Sequence, residues 1–282
     1  MSSASSIQTL LKQGSKQLET ISDSAYLDAE LLLAHCLNKN RTYLHTWPEK
    51  ELNTNQLDCF HKLIEKRLTD YPVAYLLGKK SFWTFELKVT PDVLIPRPET
   101  ELLVEIALDK IKDIKNPKIL DLGTGSGAIA LALASERQDA QIIATDNSKN
   151  ALEIAKNNTE LLSLNQQITF ISSNWFENVT ESDFDLIVSN PPYIDPEDKH
   201  LKGTIRYEPL QALIADNHGM RDIEKIIKKS HLFLKTGGWI ILEHGFDQAD
   251  KIQTLFNKTN FKSIQTHMDL NKLNRITLSI KQ

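Results

Sequence analysis

The chain has 282 residues, 40% of them hydrophobic and 25% charged, which suits a globular protein of one large and one small domain. Its formal net charge is −4, and neither residues 1–80 nor the remainder has the basic excess that nucleic acid phosphates select, so free nucleic acid is a disfavoured partner. No apolar run approaches the roughly 18 residues that span a bilayer, and a cytoplasmic protein without membrane contact is therefore expected.

Residues 1–80 are predicted to form a small all-α domain. Apolar residues recur there at helical spacing, as at Leu57 and Phe60, while the alternation typical of strands is absent. Cys36 and Cys59 belong to such helical patterns and to no C-x-x-C pair, so both are expected to be reduced core residues. We expect this domain to bind a partner and not to carry the chemistry.

A change of pattern separates this domain from the rest. The aromatic and partly alternating run Phe82–Val89 predicts a short β-hairpin, which would link two domains over residues 81–95. A helix should follow, because Pro98 suits a first turn and the carboxylates of Glu99 and Glu101 favour the positive end of a helix dipole.

Residues 96–282 are predicted to form one α/β domain, because short apolar strands alternate there with helical stretches. The predicted strands lie near residues 118–122, 141–145, 168–172, 184–189, 238–243, 263–267 and 275–280. Together they would form a doubly wound sheet of seven strands. A ligand of such a sheet should bind at the carboxyl ends of the early strands.

A glycine-rich loop follows the first of these strands. Gly123, Gly125 and Gly127 alternate there, and the absence of Cβ atoms lets the backbone turn tightly and approach a ligand closely before the next helix. The G-x-G-x-G spacing departs from the dinucleotide fingerprint G-x-G-x-x-G. The loop therefore indicates a nucleotide-like cofactor, with flavin, NAD or simple packing as alternatives.

Asp146 ends the second strand, twenty-five residues after Asp121. A carboxylate at this place can accept hydrogen bonds from both hydroxyls of a ribose. The alternative is that Asp146 caps the helix that starts near Ser148. A ribose role leaves both a dehydrogenase and a methyltransferase open.

The tetrapeptide Asn190-Pro191-Pro192-Tyr193 follows the fourth strand and separates these two possibilities. Two successive prolines stiffen the turn and keep Asn190 in one extended conformation. The side-chain oxygen of Asn190 and the carbonyl of Pro191 can then accept both hydrogens of an NH2 group. Tyr193 can stack on the flat face of the amide or base that carries this group.

Such a clamp answers a chemical problem. An amide nitrogen is a poor nucleophile because its lone pair is delocalised into the carbonyl, and two acceptors can hold its hydrogens so that the lone pair faces an activated methyl group. The alternative is that the tetrapeptide is only a turn at the end of a strand. With the glycine loop and Asp146 nearby, we predict an S-adenosylmethionine-dependent methyltransferase of a planar amide or amine nitrogen. A nucleic-acid adenine N6 methyltransferase and a non-catalytic cofactor-binding interaction protein remain as alternatives.

Several motifs together resemble one family across essentially the whole chain. They are Ile95–Glu101, Asp121–Gly127, Ser173–Phe176, Ser189–Asp195, Tyr207–Leu210 and Leu242–Gly245. The chain resembles the HemK/PrmC family, whose members methylate N5 of the glutamine in the GGQ loop of class 1 peptide chain release factors. The N-P-P-Y motif alone is shared with other methyltransferases, whereas I-P-R-P-E-T-E is more particular.

This resemblance implies a Rossmann-like class I methyltransferase with a mixed seven-stranded sheet, preceded by a small helical domain that helps to bind the release factor. It implies a monomer, no metal ion, and S-adenosylmethionine as cofactor. Asn174 departs from the acidic residue often found before the Trp-Phe pair. The residues implied to bind S-adenosylmethionine are Gly123, Thr124, Gly125, Ser126, Gly127, Asp146, Trp175 (against the adenine) and Asn190. Those implied to bind the substrate are Asn190, Pro191, Pro192 and Tyr193, with Asn190, Pro191 and Tyr193 as the catalytic set.

Overall fold

The computed structural model describes residues 5–198, 201 and 203–282. The chain divides into two compact units. The first unit comprises the chain up to Lys79 together with the segment Gly203–Tyr207. The second unit comprises the remaining residues. Across the described residues, no helix combines the length and the apolar character that crossing a membrane requires.

The first unit is helical. Its described helices are α1 (Ile7–Leu18), α2 (Ala25–Leu37), α3 (Arg41–Thr46), α4 (Thr54–Arg67) and α5 (Val73–Leu77). Asn53 precedes α4 and forms a capping box with Gln56. The Asn53 side chain accepts from the backbone N–H of Gln56, and the Gln56 side chain accepts from the backbone N–H of Asn53. Gly14 lets α1 approach α4 closely, since a Cβ there would lie 2.8 Å from the Phe60 ring.

The cysteines of this unit differ from the prediction. Cys36 on α2 and Cys59 on α4 form a disulfide, with Cα atoms 5.8 Å apart, and both residues are half-buried. The prediction of two reduced core thiols is therefore wrong. Periodicity places each cysteine on one face of its own helix, but it does not show that two such faces meet.

A segment from far along the chain completes this unit. The short 3₁₀ helix Gly203–Tyr207 packs on the residues that follow α4. The Tyr207 hydroxyl and the Arg206 guanidinium both donate to the carbonyl of Thr69, at 2.6 and 2.7 Å. The ring of Tyr207 meets that of Tyr71 edge-on, with centroids 4.9 Å apart.

The strands β1 (Lys79–Phe82) and β2 (Phe85–Lys88) form a two-stranded sheet. Trp83 turns the chain between them with φ 55°, and its backbone N–H donates to the Glu101 carboxylate at 2.8 Å. The buried side chain of Asn158 holds the other end. It accepts from the Lys88 amide at 2.7 Å and donates to the carbonyls of Lys88 and Ser126.

The second unit is built on a seven-stranded sheet. Its strands are β3 (Lys118–Leu122), β4 (Gln141–Asp146), β5 (Ile168–Ser172), β6 (Phe184–Ser189), β7 (Leu234–Glu243), β8 (Phe261–Met268) and β9 (Asn274–Lys281). The order across the sheet is β5-β4-β3-β6-β7-β9-β8. The first five strands in this order are parallel, and β9 runs antiparallel to both β7 and β8. The predicted mixed sheet is confirmed.

Helices cover both faces of the sheet. They are α6 (Glu99–Ile111), α7 (Ala128–Glu136), α8 (Lys149–Leu161), α9 (Arg221–Ser230) and α10 (Ala249–Asn257). Neighbouring residues of a strand serve opposite faces, since Ile119 packs in a cluster with α6 and α7 whereas Leu120 packs in one with α9 and α10. The strands β3 and β6 are buried from both sides, which explains why apolar residues predominate in them and do not alternate with polar ones.

Candidate active site

The strand order reverses between β3 and β6, so the loops after these two strands open side by side. The hydroxyl of Ser189, at the end of β6, donates to the carbonyl of Leu122, at the end of β3, at 2.7 Å. The glycine loop and the N-P-P-Y turn therefore start next to each other. A cleft opens at this edge, and residues of both loops line it.

The three loop glycines all adopt left-handed backbone conformations. Their φ values are 75° at Gly123, 55° at Gly125 and 86° at Gly127, a region that other residues enter only with strain. A Cβ on Gly123 would lie 3.3 Å from the Trp175 ring. Gly123 and Gly125 line the cleft, whereas Gly127 lies behind it and leads directly into α7.

Thr124 and Ser126 lie beneath the loop and are buried. The Thr124 hydroxyl donates to a carboxylate oxygen of Asp121 at 2.6 Å, while burial raises the pKa of Asp121 to about 7. The Ser126 hydroxyl has no hydrogen-bond partner among the residues described. Neither Thr124 nor Ser126 lines the cleft.

Asp146 lies in the cleft wall, and each of its carboxylate oxygens accepts one backbone N–H. These come from Gly125, at 2.9 Å, and from Ser148, at 2.8 Å. The cap of α8 is Ser148 itself, whose side chain accepts from the Ala151 amide at 3.2 Å. Asp146 is therefore not needed as the helix cap. Because a carboxylate oxygen can accept more than one hydrogen bond, Asp146 can also accept from ribose hydroxyls.

Trp175 and Asn174 form another part of the wall. Trp175 has φ 55°, and its indole N–H donates to Asp222 at 3.2 Å, which fixes the ring against the glycine loop. The side-chain NH2 of Asn174 donates to Glu177 at 2.7 Å. This bond leaves the side-chain oxygen of Asn174 available as an acceptor.

The N-P-P-Y turn contributes the side chains of Asn190 and Pro192 to the cleft wall, whereas Pro191 and Tyr193 lie outside that wall. The Tyr193 hydroxyl donates to Glu243 at 3.3 Å, and burial raises the pKa of this phenol so that it stays protonated. The carbonyl of Tyr193 accepts from the Gln248 side chain at 2.9 Å. The turn is thus held by its neighbours on two sides.

Two buried residues behind the turn were not singled out as site residues from the sequence. Thr100, at the start of α6, accepts from the side-chain NH2 of Asn190 at 3.2 Å. Its own hydroxyl donates to Glu243, at the end of β7, at 2.7 Å. Burial raises the pKa of Glu243 to about 7, against the lowering effects of the Thr100 hydrogen bond and the positive charge of Arg275. In the sequence, the only signal for Thr100 and Glu243 was that each belongs to one of the family motifs.

Glu208 joins two further motifs. Its buried carboxylate accepts from the Ile95 amide at 3.0 Å and pairs with Arg97. The chain segments next to Ile95 and next to Glu208 line a part of the cleft that the sequence analysis did not predict. Its residues are Asp92, Val93, Leu94, Pro209, Gln211 and Ala212. The I-P-R-P stretch and the Y-E-P-L stretch were the available signals for them.

Comparison with known proteins identifies relatives of this chain along its whole length. The model of the PrmC N-terminal domain matches residues 9–78, and that of the methyltransferase small domain matches residues 98–216. A release factor glutamine methyltransferase of Shewanella oneidensis is 46% identical over 99% of this chain and 97% of its own length. One from Coxiella burnetii is 44% identical over 97% of this chain and 98% of its own length.

Solved structures share the fold at low identity. A ribosomal protein L11 methylase from Lactobacillus delbrueckii has a TM-score of 0.50 and 21% identity, covering 70% of this chain and 86% of that one. The T. thermophilus 16S rRNA N2 G1207 methyltransferase, solved with AdoMet and guanosine, has a TM-score of 0.54 and 18% identity, covering 72% and 50%. The predicted methyltransferase fold is therefore confirmed.

Proposed function

The chain belongs to the family of release factor glutamine methyltransferases, and we propose on this basis that it methylates N5 of the glutamine in the GGQ motif of class 1 peptide chain release factors, with S-adenosylmethionine as methyl donor. The observation that supports this most is the position of Asn190. Its side chain lies in the wall of the same cleft as the glycine loop and Asp146.

The residues of the cleft fit this cofactor. The loop glycines leave room for close approach, Asp146 offers carboxylate oxygens to a ribose, and Trp175 presents a ring to an adenine. Asn174 offers its side-chain oxygen to an adenine amino group. When bound, S-adenosylmethionine supplies an electrophilic methyl group on a positively charged sulfur.

The protein's own task is then to present the amide nitrogen. Asn190 Nδ2 is engaged by Thr100, so its side-chain oxygen is the atom that can accept a hydrogen from the substrate NH2. We propose the carbonyl of Pro191, which follows Asn190 in the chain although it lies outside the cleft wall, as the acceptor of the second hydrogen. With both hydrogens held, the nitrogen lone pair is directed at the methyl group. Attack by this nitrogen would form the N–C bond while the bond between the methyl group and sulfur breaks and leaves its electron pair on sulfur. The positively charged nitrogen would then lose a proton to solvent, so orientation contributes more than a strong base.

We assign the rest of the chain in the same way. Residues 1–80 would bind the release factor, residues 81–95 would form the linker, and residues 96–282 would carry out methyl transfer. Binding to a folded protein partner suits the charge of the chain, because residues 1–80 have ten Lys and Arg against nine Asp and Glu. A monomeric enzyme in the cytoplasm remains our prediction, as does the lack of binding to free nucleic acid.

The test is transfer of labelled methyl groups to a purified release factor, compared with the same factor in which the GGQ glutamine is replaced. We expect label only on the unmodified factor. Equal labelling of the two would refute the assigned target. Label on DNA or rRNA, in place of the release factor, would favour the adenine methyltransferase alternative.

An Asn190→Ala variant tests the clamp. Transfer should fall to background because the substrate NH2 loses an acceptor, while cofactor binding measured by calorimetry should change little. Asn157→Ala is the matched control, since Asn157 is partly exposed on α8 and its side chain donates to a backbone carbonyl of its own helix. Full activity in Asn190→Ala would contradict the clamp. Binding without transfer in the wild type would favour the non-catalytic alternative.

A further inference from the structure

The direction of the hydrogen bonds behind Asn190 determines what this residue shows to the cleft. The side-chain amide of asparagine has a donor end and an acceptor end of nearly the same shape. A substrate NH2 needs the acceptor end. If the amide were turned over, two donors would face each other and the clamp would repel the group that it must hold.

Thr100 resolves this ambiguity because a hydroxyl carries a single hydrogen. In the ionised form of Glu243, which the hydrogen bonds from Thr100 and Tyr193 and the positive charge of Arg275 favour, that hydrogen goes to the carboxylate at 2.7 Å, since a carboxylate can only accept. The lone pairs of the Thr100 oxygen are therefore what Asn190 meets, and they require its NH2 end, which lies 3.2 Å away. Thr100 is 4% exposed and Glu243 is 1% exposed, so water has little access to offer other partners.

Glu243 fixes a second side chain of the motif in the same manner. Its other carboxylate oxygen accepts from the Tyr193 hydroxyl at 3.3 Å. One buried carboxylate thus orients two members of the N-P-P-Y turn, one through Thr100 and one directly. Because charge-assisted hydrogen bonds are stronger than neutral ones, a carboxylate is well suited to fix these directions.

We propose that Glu243 is a positioning residue that, acting through the Thr100 hydroxyl, holds the Asn190 amide with its oxygen toward the substrate nitrogen. This inference rests on the proposed function, in which the substrate presents an NH2 group. It assigns a task to the threonine of the I-P-R-P-E-T-E stretch and to the glutamate of the L-E-H-G stretch. Neither residue needs to touch the cofactor or the substrate.

The experiment compares Thr100→Val with Thr100→Ser. Valine keeps the size of threonine but removes the hydroxyl, so kcat should fall by about 10- to 100-fold. The KM for release factor and the Kd for S-adenosylmethionine should each change by less than about threefold. Serine keeps the hydroxyl and should retain kcat within about threefold. Thr159→Val is the matched control, because Thr159 is also buried but its hydroxyl donates only to the Ala155 carbonyl of α8.

A double variant tests whether Glu243 acts through Thr100. Glu243→Leu should lower kcat strongly in the wild type and much less in the Thr100→Val background, since residues in one network are not additive. Independent, multiplicative losses would overturn the inference. So would a Thr100→Val enzyme with wild-type kcat, or a Thr100→Ser enzyme as impaired as Thr100→Val.

A measurement that needs no substrate separates this inference from the proposed function. The side-chain NH2 protons of Asn190, observed by NMR of the wild type and of Thr100→Val, report their hydrogen bond directly. Faster exchange of these protons in Thr100→Val is expected, and unchanged exchange would overturn the relay. If the wild type failed to methylate a release factor, the proposed function would fall, and this measurement would still decide the orientation of Asn190.

Discussion

Gly219 lies outside every motif that binds ligand, yet we expect the Gly219→Ala substitution to disable the site. The residue has a φ of 76°, and a Cβ added to it would lie 2.0 Å from the Tyr193 carbonyl oxygen and 2.6 Å from the Gln248 side-chain nitrogen. These are the two atoms that join in the hydrogen bond beneath the N-P-P-Y turn. An alanine must therefore push the backbone of that turn aside.

The chain offers a matched control at Gly237. Its φ is 82°, almost the same as at Gly219, but a Cβ there would have no atom within 4 Å. The left-handed backbone costs an L-residue about 1–2 kcal/mol at either position. Overpacking adds about 1–3 kcal/mol only at Gly219. The free energy of unfolding should thus fall by about 1–2 kcal/mol in Gly237→Ala and by about 2–5 kcal/mol in Gly219→Ala.

The two variants should differ more in catalysis than in stability. Relief of the 2.0 Å contact requires a movement of about 1 Å, and a misplacement of this size can lower kcat by about 100-fold. Urea denaturation measures the free energy of unfolding. Methyl transfer in the absence of urea, at saturating cofactor and release factor, measures kcat. If Gly219→Ala kept the kcat of Gly237→Ala, the Tyr193 carbonyl would not need its present place, and our reasoning would be wrong.

Three further predictions concern the cofactor and the pH dependence of stability. Asp146→Asn should raise the Kd for S-adenosylmethionine by about 10- to 100-fold, because a hydrogen bond to a charged group is lost; an unchanged Kd in calorimetry would remove Asp146 from the ribose site. Asn174→Ala should raise the same Kd by about 3- to 10-fold through loss of a neutral acceptor, and wild-type affinity would show that the Asn174 oxygen binds no adenine. Burial lowers the pKa of His244 to about 4, so the unfolded chain binds the proton first and stability is lost as pH falls from 6.5 to 4. Relative to His244→Gln, the wild type should lose about 3 kcal/mol over this range, and parallel denaturation curves for the two proteins would contradict it.

Local pattern and strand order predicted much of the cleft. The glycine loop and the N-P-P-Y turn each follow an apolar strand, and parallel strands end at a common edge, so their proximity could be anticipated. Asp146 could be placed for the same reason. The strand β7 begins at Leu234, four residues before the predicted start, and the prediction missed this part because Lys235, Thr236 and Gly237 are exposed and not apolar. An exposed strand end of this kind cannot be recognised from apolar periodicity.

Contacts between distant elements could not be anticipated. Thr100 and Glu243 lie 143 positions apart, and each reads as an ordinary polar residue at the end of an element. Only the packing of α6 beside β7 brings them together. The disulfide between Cys36 and Cys59 escaped prediction in the same way. The helix α9 was predicted only as one of the helical stretches between strands, without bounds, although Ile223, Ile226 and Ile227 have helical spacing and are all buried.

The contact of Tyr207 with Thr69 affects whether the helical unit can be produced as a separate fragment. The helical unit is discontinuous in sequence, because 137 positions separate Thr69 from Arg206, which also binds its carbonyl. A single cut after Lys79 would release a fragment that lacks the Tyr71 ring contact and leaves the Thr69 carbonyl to solvent. In folding, this contact closes a long loop and carries the entropy cost of that closure, so it should form late. The N-terminal helices can form as they leave the ribosome, but their last partners arrive only after most of the sheet has been synthesised.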